Sequence, residues 1–273
     1  MTLYLVGTPI GNLEDITLRA LRVLREVRLI AAEDTRHTGQ LLQHYNIATP
    51  MLSYHDYSTP QRLAQLVTRL QEDDVALVSD AGMPGLSDPG YRLVRAALDA
   101  HIPVIPIPGA TAVATALVAS GLPTDSFLFL GFLPRRRRAR QAALADVAQL
   151  PFTLVCYEAP HRLLDLLQDI LHTLGDREVC IGRELTKLYE ELWRGSVSAA
   201  RQHFAAGQIR GEFTIVLAGA PPATSSWDET AVRDRLAEKM AAGLGHREAA
   251  AAVAAESGWR KRDVYALCKQ EQR

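Results

Sequence analysis

The chain reads Val75-Ala76-Leu77-Val78-Ser79-Asp80-Ala81-Gly82-Met83-Pro84-Gly85 within its first third. Four apolar residues in a row predict a strand that is buried on both faces, as in parallel sheets. The acid and the small residues after Ser79 predict a loop at the carboxyl end of that strand, the edge where open α/β sheets bind ligands. A plain strand-to-helix connection is the alternative, and it requires neither Asp80 nor so many glycines. We therefore predict an open α/β sheet with a ligand site beside Asp80.

Apolar runs of similar length recur on both sides of this stretch and alternate with helix-period segments, which is typical of βαβ units. The predicted strands are Leu3–Val6, Leu29–Ala32, Met51–Tyr54, Val75–Ser79, Val104–Ile107, Phe127–Phe132, Thr153–Tyr157, Val179–Arg183 and Thr214–Ala218. The predicted helices between them include Ile16–Val27, Gly39–Tyr45, Pro60–Leu70, Tyr91–Ala100, His161–Leu174 and Ser198–Ala206. An additional extended piece at residues 190–195 predicts that the second half contains a mixed sheet.

Changes in composition divide the chain into three predicted parts. A Gly- and Pro-containing break at residues 121–126 separates a first α/β domain, residues 1–122, from a second, residues 123–220. Linker composition at residues 220–226 precedes a strand-free tail, residues 227–273. The tail is predicted to form three helices in a helix-turn-helix-like arrangement, and a packing or dimerisation role is the alternative. These helices are Asp228–Ala242, His246–Ser257 and Lys261–Gln270.

The charge balance excludes a protein that binds nucleic acid through bulk positive charge. Thirty Lys and Arg face 31 Asp and Glu among 273 residues, which leaves a formal charge of -1. The three cysteines, Cys156, Cys180 and Cys268, lack metal-ligand spacing and are expected to be reduced core residues. We expect no metal, because His37, His44 and His55 share no metal-ligand spacing. We expect no signal peptide, because no basic region precedes the first strand, and no membrane span, because residues 102–122 contain several prolines. The expected location is the cytoplasm.

Two further loops have the composition of ligand-binding turns without matching a phosphate loop. Gly7 and Gly11 follow the first strand, but the turn lacks both the dinucleotide fingerprint and the lysine of a P-loop. A plain turn is the alternative there. The loop at residues 108–112 offers free backbone N–H groups and the Thr111 hydroxyl at a helix start. Since neither this loop nor the one at residues 79–85 has a basic residue, the predicted ligand is polar but not strongly anionic.

Six segments form an ordered set of motifs along the chain. They are Leu5-Val6-Gly7-Thr8-Pro9-Ile10-Gly11-Asn12-Leu13, Ala32-Glu33-Asp34-Thr35-Arg36-His37-Thr38, Ser79-Asp80-Ala81-Gly82-Met83-Pro84, Tyr157-Glu158-Ala159-Pro160-His161-Arg162-Leu163, Arg183-Glu184-Leu185-Thr186-Lys187 and Gly211-Glu212-Phe213. The set resembles the signatures of the ribosomal RNA small subunit methyltransferase I family, a branch of the tetrapyrrole-methylase fold and of the class III S-adenosylmethionine-dependent methyltransferases. The resemblance runs from about Leu3 to Gly219, and the tail is similar to the helical appendage of the same branch.

This resemblance implies methyl transfer from S-adenosylmethionine to the ribose 2′-hydroxyl of a cytidine in the decoding region of small-subunit (16S) rRNA, as free RNA or in the assembled small ribosomal subunit. It also implies two α/β domains with the cofactor in the cleft between them, and a homodimer. Met83 and the loop at residues 108–111 depart from sequences that are common in the family. By the same resemblance the cofactor contacts are Ile10, Asp80, Ala81, Gly82, Met83, Thr111, Ala112, Cys156, Tyr157, Leu185, Glu212 and Phe213.

Methyl transfer to a hydroxyl requires alignment of the attacking oxygen and a group that handles its proton. Lys187 could be a base if burial lowers its pKa, or stay charged and stabilise the oxygen while Glu184 orients it. The alternative is structural, with these residues forming ion pairs that cap helices. The candidate catalytic residues are Lys187, Glu184, Glu33, Asp34 and Arg36.

A dense arginine run after the strand at residues 127–132 predicts contact with RNA phosphates. A solvated face without a ligand is the alternative. Trp259 beside Arg260-Lys261-Arg262 is a second, weaker candidate, because an indole can stack on a base. The candidate RNA-binding residues are Arg135, Arg136, Arg137, Arg138, Arg140 and Arg162.

Two other functions stay open on the sequence alone. A methyltransferase acting on a small molecule such as a tetrapyrrole keeps the fold and the cofactor, but it needs neither the arginine run nor the tail. A non-catalytic nucleic-acid-binding regulator needs a basic recognition helix, whereas residues 228–273 contain nine Lys and Arg against eight Asp and Glu.

Overall fold

The computed structural model describes residues 1–221 and 227–270 of the chain. The predicted linker at residues 220–226 lies mostly outside these described residues. Two compact units result, one of Met1–Ala148 with Phe152–Ala218 and the other of Gln149–Pro151 with Gly219–Arg273.

The first sheet has five parallel strands, which accounts for the wholly apolar runs of the sequence. The strand at Leu3–Val6 pairs with those at Val75–Val78 and Val104–Ile107, so the loops that follow these three strands lie side by side at one edge. The strands are β1 (Leu3–Val6), β2 (Leu29–Ala32), β3 (Met51–Ser53), β4 (Val75–Val78) and β5 (Val104–Ile107), in the order β3-β2-β4-β1-β5. The helices are α1 (Leu18–Glu26), α2 (Thr35–His44), α3 (Pro60–Glu72) and α4 (Tyr91–Asp99) between successive strands, and α5 (Ala112–Ser120) after β5.

Short polar residues start the helices of this part, and apolar faces dock them. The Thr17 side chain accepts a hydrogen bond from the Ala20 N–H at the start of α1, and Asp34 caps α2 in the same way. Leu24 of α1 and Leu66 of α3 are fully buried in the two separate apolar clusters of this part. Each such leucine contributes roughly 2 kcal/mol through burial alone.

The second sheet is mixed, as the sequence predicts. The strands at Phe127–Phe132 (β6) and Thr153–Glu158 (β7) pair in parallel. The strand at Phe213–Leu217 (β10) is antiparallel to β7 and to Glu178–Arg183 (β8), and Glu191–Ser196 (β9) is antiparallel to β8. The extended piece predicted at residues 190–195 is β9. The strands are β6 (Phe127–Phe132), β7 (Thr153–Glu158), β8 (Glu178–Arg183), β9 (Glu191–Ser196) and β10 (Phe213–Leu217), in the order β6-β7-β10-β8-β9, with helices α6 (Arg137–Asp146), α7 (Leu163–Leu174) and α8 (Val197–Ala205).

Helix α5 links the two sheets. Its sequence follows the first sheet, but its residues Val113, Ala116 and Leu117 are buried against Val155 and Val216 of the second sheet. The Arg194 guanidinium of β9 donates hydrogen bonds to the carbonyls of Ala119 and Ser120 at the end of the helix. Both sheets therefore fall in one compact unit, and the division of the α/β part after residue 122 stays a prediction.

The tail forms three helices with a core of their own. They are α9 (Glu229–Ala241), α10 (His246–Ser257) and α11 (Lys261–Gln270), and they bury Val232, Leu236, Val253 and Val264 among others. Gly258 begins the turn between α10 and α11 with a left-handed φ of 73°. The Trp259 indole N–H donates to the Trp227 carbonyl at 3.0 Å and the partly buried ring packs on this core, and stacking of the ring on a base stays a prediction.

Three features of the sequence have simple structural outcomes. Cys156, Cys180 and Cys268 are buried and form no disulfide with one another, as predicted for core residues. None of the helices in residues 1–221 and 227–270 combines the length and apolar content that a membrane crossing requires. No three His, Cys, Asp or Glu side chains of the described residues group in a way that could hold a metal ion.

Candidate active site

A cavity of about 460 Å³ lies where loops of the first sheet meet strand ends of the second, and we call it the main cavity. This volume is in the range of small-molecule sites. The loops after β1, β4 and β5 contribute one wall, and the ends of β7, β8 and β10 contribute the other. The lining residues are Ile10, Ala81, Gly82, Met83, Leu86, Asp88, Thr111, Ala112, Phe132, Tyr157, Glu158, Ala159, Pro160, His161, Leu185, Lys187, Glu212, Phe213 and Thr214.

The main cavity brings together ten of the twelve residues predicted to contact the cofactor. The two exceptions are Asp80 and Cys156. Cys156 is 5% exposed on β7, where the alternation of the strand separates it from its neighbour Tyr157, which packs with the α5 cluster. The structure therefore does not present the Cys156 side chain to the cavity. Asp80 faces a second cavity, described below.

Two glycines allow the walls to approach closely. A Cβ on Gly7 would lie 2.7 Å from the Gly109 Cα, so the loops after β1 and β5 touch backbone to backbone. A Cβ on Gly11 would lie 2.3 Å from the Lys187 Cγ, so the same first loop also packs onto the loop after β8. Paired hydrogen bonds between Thr8 and Gly82, at 2.9 and 3.1 Å, fix the first loop to the loop after β4.

Asp88 is an acidic wall residue that the sequence analysis missed. Burial first, and then the charges of Glu33 and Asp80, raise the pKa of this carboxyl to about 7. Asp88 was not predicted as a site residue because Ser87-Asp88-Pro89-Gly90 has the composition of an ordinary turn before a helix. A second acid in the loop that already carries Asp80 was the available clue.

Glu33, Asp34 and Arg36 do not line the main cavity. Burial raises the pKa of Glu33, whose Oε2 accepts the Asp80 N–H at 3.3 Å, so this acid lies behind the wall near Asp88. Asp34 caps α2 and pairs with Arg36 at 2.5 Å, and these hydrogen bonds lower the Asp34 pKa. Asp34 thus caps α2 and Arg36 pairs with it, as in the structural alternative, and a catalytic role for either stays a prediction.

Lys187 reaches the main cavity from the loop between β8 and β9. Its Nζ lies 2.9 Å from Glu184 Oε1 and 3.1 Å from Glu212 Oε2. Burial by itself lowers the pKa of Lys187, but hydrogen bonds to the two carboxylates outweigh burial and raise it. These contacts give Lys187 a raised rather than a lowered pKa, which favours the charged role, and its part in catalysis stays a prediction. Glu184, which also accepts the Glu212 N–H at 2.9 Å, orients the ammonium group.

Aromatic rings form the wall of the main cavity on the second sheet. Tyr157 packs edge-on against Phe129 at 5.1 Å between ring centroids, and tilted against Phe132 at 5.5 Å. A bulge between Phe129 and Phe132 sets this arrangement by shifting the register of β6. Burial raises the pKa of Tyr157, so its hydroxyl stays protonated near neutral pH.

The predicted RNA-binding arginines separate into exposed and buried groups. Arg140 is 4% exposed and pairs with the buried Asp169 at 2.6 Å. Arg162 donates to the Leu133 carbonyl at 2.7 Å and pairs with buried Glu158. Because both guanidiniums are held inside the protein, the structure removes Arg140 and Arg162 from the RNA-contacting set.

The remaining four arginines of the run are exposed at the start of α6. Arg137 pairs with Asp169 at 3.0 Å, although its side chain is 67% exposed. For Arg135, Arg136 and Arg138, the described residues provide no ion-pair partner. These three side chains are therefore the ones available to phosphates.

A smaller cavity of about 300 Å³, which we call the minor cavity, lies at the same edge of the first sheet. Thr38, on α2, lines it and is 2% exposed, yet its hydroxyl has no hydrogen-bond partner in the described structure. Buried hydroxyls without a partner are uncommon in proteins. The lining residues are Thr8, Pro9, Gly11, Leu13, His37, Thr38, Gln40, Leu41, Ser79 and Asp80.

Comparison with known proteins gives extensive sequence matches. The family model described as Tetrapyrrole (Corrin/Porphyrin) Methylases matches residues 2–201. Proteins named "Ribosomal RNA small subunit methyltransferase I" are 50% identical in Synechocystis sp. over 97% of this chain and 96% of that protein, and 48% identical in Halalkalibacterium halodurans over 99% and 95%. The Pseudomonas aeruginosa protein of the same name is 44% identical over 99% of this chain and 98% of that protein.

Solved structures share the fold at low sequence identity. Uroporphyrin-III C-methyl transferase from Thermus thermophilus, complexed with S-adenyl homocysteine, has a TM-score of 0.56 at 21% identity, over 80% of this chain and 97% of that one. The methyltransferase CobJ has a TM-score of 0.61 at 16% identity, over 80% and 94%. These likenesses concern the fold alone.

Proposed function

We propose a reaction from the premise that this chain belongs to the tetrapyrrole methylase family and, within it, to the ribosomal RNA small subunit methyltransferase I proteins. It is accordingly an S-adenosylmethionine-dependent methyltransferase of small-subunit rRNA. The proposed reaction is methylation of the ribose 2′-hydroxyl of a cytidine in the decoding region. The main cavity is the proposed site, because ten predicted cofactor contacts converge on it.

The main cavity fits the chemistry of the cofactor, which supplies a methyl group on a positively charged sulfur. Asp88 and Glu212 place acidic groups on the wall, where they favour a cation. Ile10, Met83 and Phe213 provide apolar surface for an adenine ring. The small residues Ala81, Gly82 and Ala112 leave room for the ligand beside the backbone.

The side chains that reach the main cavity divide the remaining chemical tasks. Lys187 carries its proton, so its Nζ stabilises the ribose oxygen as negative charge develops there. The Asp88 carboxylate, with a pKa of about 7, suits acceptance of the hydroxyl proton at neutral pH. Glu184 and Glu212 hold the ammonium group in place through the ion pairs described above.

The exposed arginines at the start of α6 supply the RNA-binding surface of the proposal. Arg135, Arg136 and Arg138 provide three charges without a protein partner among the described residues, next to Phe132 at the cavity rim. They contact phosphates and give affinity rather than base selection. The enzyme is proposed to act in the cytoplasm as a homodimer, on free rRNA or on the assembled small subunit.

One assay tests the reaction. Small ribosomal subunits that lack the modification are incubated with methyl-labelled S-adenosylmethionine, and the RNA is digested with alkali. Label in a dinucleotide that resists alkaline cleavage is the expected result, because a 2′-O-methyl group blocks attack on the adjacent phosphate. Labelled RNA without a resistant dinucleotide would overturn 2′-O-methylation. Absence of RNA label, with cofactor still bound, would overturn the RNA substrate and favour the small-molecule or regulatory alternative.

A further inference from the structure

Phe132 is an aromatic ring that the fold exposes at the mouth of the main cavity. It is the last residue of β6, it lines the main cavity, and it is 56% exposed. Leu86, in the loop after β4, lines the same cavity and is 36% exposed, so both sheets contribute apolar surface to the mouth. Because a ring gains free energy when it leaves water, an exposed ring at a cavity mouth is suited to cover an apolar part of a ligand.

The backbone on both sides of Phe132 is fixed. The bulge in β6 contains Gly131, whose φ of 60° lies in the left-handed region. A Cβ on Gly131 would lie 3.0 Å from the Ser87 Oγ, so the loop after β4 packs closely on the bulge. After the ring, the Arg162 guanidinium donates to the Leu133 carbonyl at 2.7 Å. A ring on a fixed backbone loses little conformational freedom when a ligand binds to it.

The exposed arginines at the start of α6 follow Phe132 closely in the chain. Arg135 is three residues after the ring, and three residues span at most about 11 Å even when fully extended. Single-stranded RNA presents flat bases and charged phosphates side by side, and proteins bind it with aromatic rings next to cationic groups. Phe132 and the arginines after it combine these two kinds of group at the rim of one cavity.

From this juxtaposition we propose that Phe132 stacks on the base of the target nucleotide and thereby holds its ribose at the main cavity. The inference rests on the proposed function and names the residue that contacts the base. The 2′-hydroxyl then faces Lys187, which lines the same cavity, while the phosphates lie toward the arginines. The base leaves its neighbours in the RNA, as it does in other enzymes that act on a single nucleotide. Because a ring stacks on any base, Phe132 supplies affinity and placement rather than base choice.

The substitution Phe132→Leu tests the contact, because it keeps an apolar side chain but removes the flat ring. Binding of a decoding-region RNA fragment to the full chain, measured by fluorescence anisotropy without cofactor, is expected to weaken about tenfold. Phe132→Tyr keeps the ring and is expected to bind as wild type does. Phe127→Leu is the matched control, since Phe127 begins the same strand and is 47% exposed but is not among the lining residues of the main cavity. This control is expected to leave RNA affinity unchanged.

A panel of fragments that each lack the base at one cytidine separates base contact from other causes. Wild type is expected to bind one fragment of the panel about tenfold more weakly than intact RNA, and Phe132→Leu is expected to bind that fragment as wild type does. Equal losses by Phe132→Leu on intact RNA and on every fragment would overturn the stacking, as would an unchanged affinity for intact RNA or weak binding by Phe132→Tyr. An equal loss of S-adenosylmethionine affinity in Phe132→Leu would also overturn it, because the ring would then support the cofactor wall.

The binding panel and the labelling assay for the reaction report on different claims. Wild type that shows the expected base dependence but transfers no methyl group would overturn the proposed reaction and support the stacking. Transfer of the methyl group to a 2′-hydroxyl, with no fragment of the panel bound more weakly than intact RNA, would overturn the stacking alone. Wild type that binds no RNA fragment would overturn the stacking.

Discussion

The substitution Asp88→Asn is expected to stabilise the protein at pH 8 but not at pH 4. The Asp88 carboxyl has a pKa of about 7 in the folded chain, against roughly 3.9 in an unfolded one. Between these values the folded state binds more protons than the unfolded state, so the contribution of Asp88 to the free energy of unfolding falls as pH rises. Above pH 7 the carboxylate is ionised and its unfavourable contribution to the free energy of unfolding reaches its maximum. Asparagine removes that charge.

The structure sets the size of this effect. A tenfold change in proton affinity corresponds to about 1.36 kcal/mol, so the two pKa values give an upper bound of roughly 4 kcal/mol. Asp88 is partly exposed, and solvent screening reduces the expected gain at pH 8 to about 2 kcal/mol. For a unit of this size, that gain raises the unfolding midpoint by roughly 4–8 °C.

Thermal and urea unfolding of wild type and Asp88→Asn across pH 4 to 8 measures the difference directly. Asp125→Asn, at an exposed position, is the control and is expected to shift stability little at either pH. A gain of the same size at pH 4 and pH 8 would refute the charge argument, because it would point to improved packing. Absence of any gain at pH 8 would refute the unfavourable acidic environment formed with Glu33 and Asp80.

Four further predictions follow from the contacts in the α/β part. Gly7→Ala forces the loops after β1 and β5 apart and is expected to lower the free energy of unfolding, measured by urea titration, by about 1–3 kcal/mol. Gly207→Ala is the control, because its added methyl group meets no other atom, and it is expected to cost less than about 1 kcal/mol. Lys187→Met is expected to reduce the single-turnover methylation rate about 100-fold with cofactor affinity little changed; an unchanged rate would exclude the charged role. Arg140→Ala removes the buried ion-pair partner of Asp169 and is expected to lower the free energy of chemical unfolding by about 3–5 kcal/mol. Arg138→Ala, at an exposed position, is expected to have little effect. We expect that replacing Arg135, Arg136 and Arg138 together by alanine reduces the slope of log RNA affinity against log salt concentration by about 2. An unchanged slope would exclude phosphate contacts by these three arginines.

The periodicity of the sequence predicted the strands well because a buried strand must be apolar on both faces. All nine predicted strands are present within one or two residues, and the tenth is the predicted extended piece. The boundary after residue 122 was harder to place, since α5 is continuous with the first sheet in sequence but packs on the second. A helix that is apolar all round, such as α5, carries no information about which neighbour covers it.

The candidate site was predictable where residue type and position along a strand were enough. Ten predicted cofactor contacts share a cavity because parallel strands bring their carboxyl ends to one edge. The burial of Arg140 could not be predicted from the sequence, because its buried ion-pair partner Asp169 is 29 residues away in sequence. The pKa of Lys187 likewise depends on Glu212, whose proximity follows only from the pairing of β8 with β10.

The position of β10 in the second sheet bears on how the chain folds during synthesis. This strand is the last of its sheet in sequence, yet it lies between β7 and β8. Until residue 217 has left the ribosome, β7 and β8 each have an unpaired apolar edge of the kind that drives aggregation. A nascent chain that ends before Phe213 therefore cannot complete the second sheet. Premature termination before residue 213 therefore removes the methyltransferase fold as well as the tail.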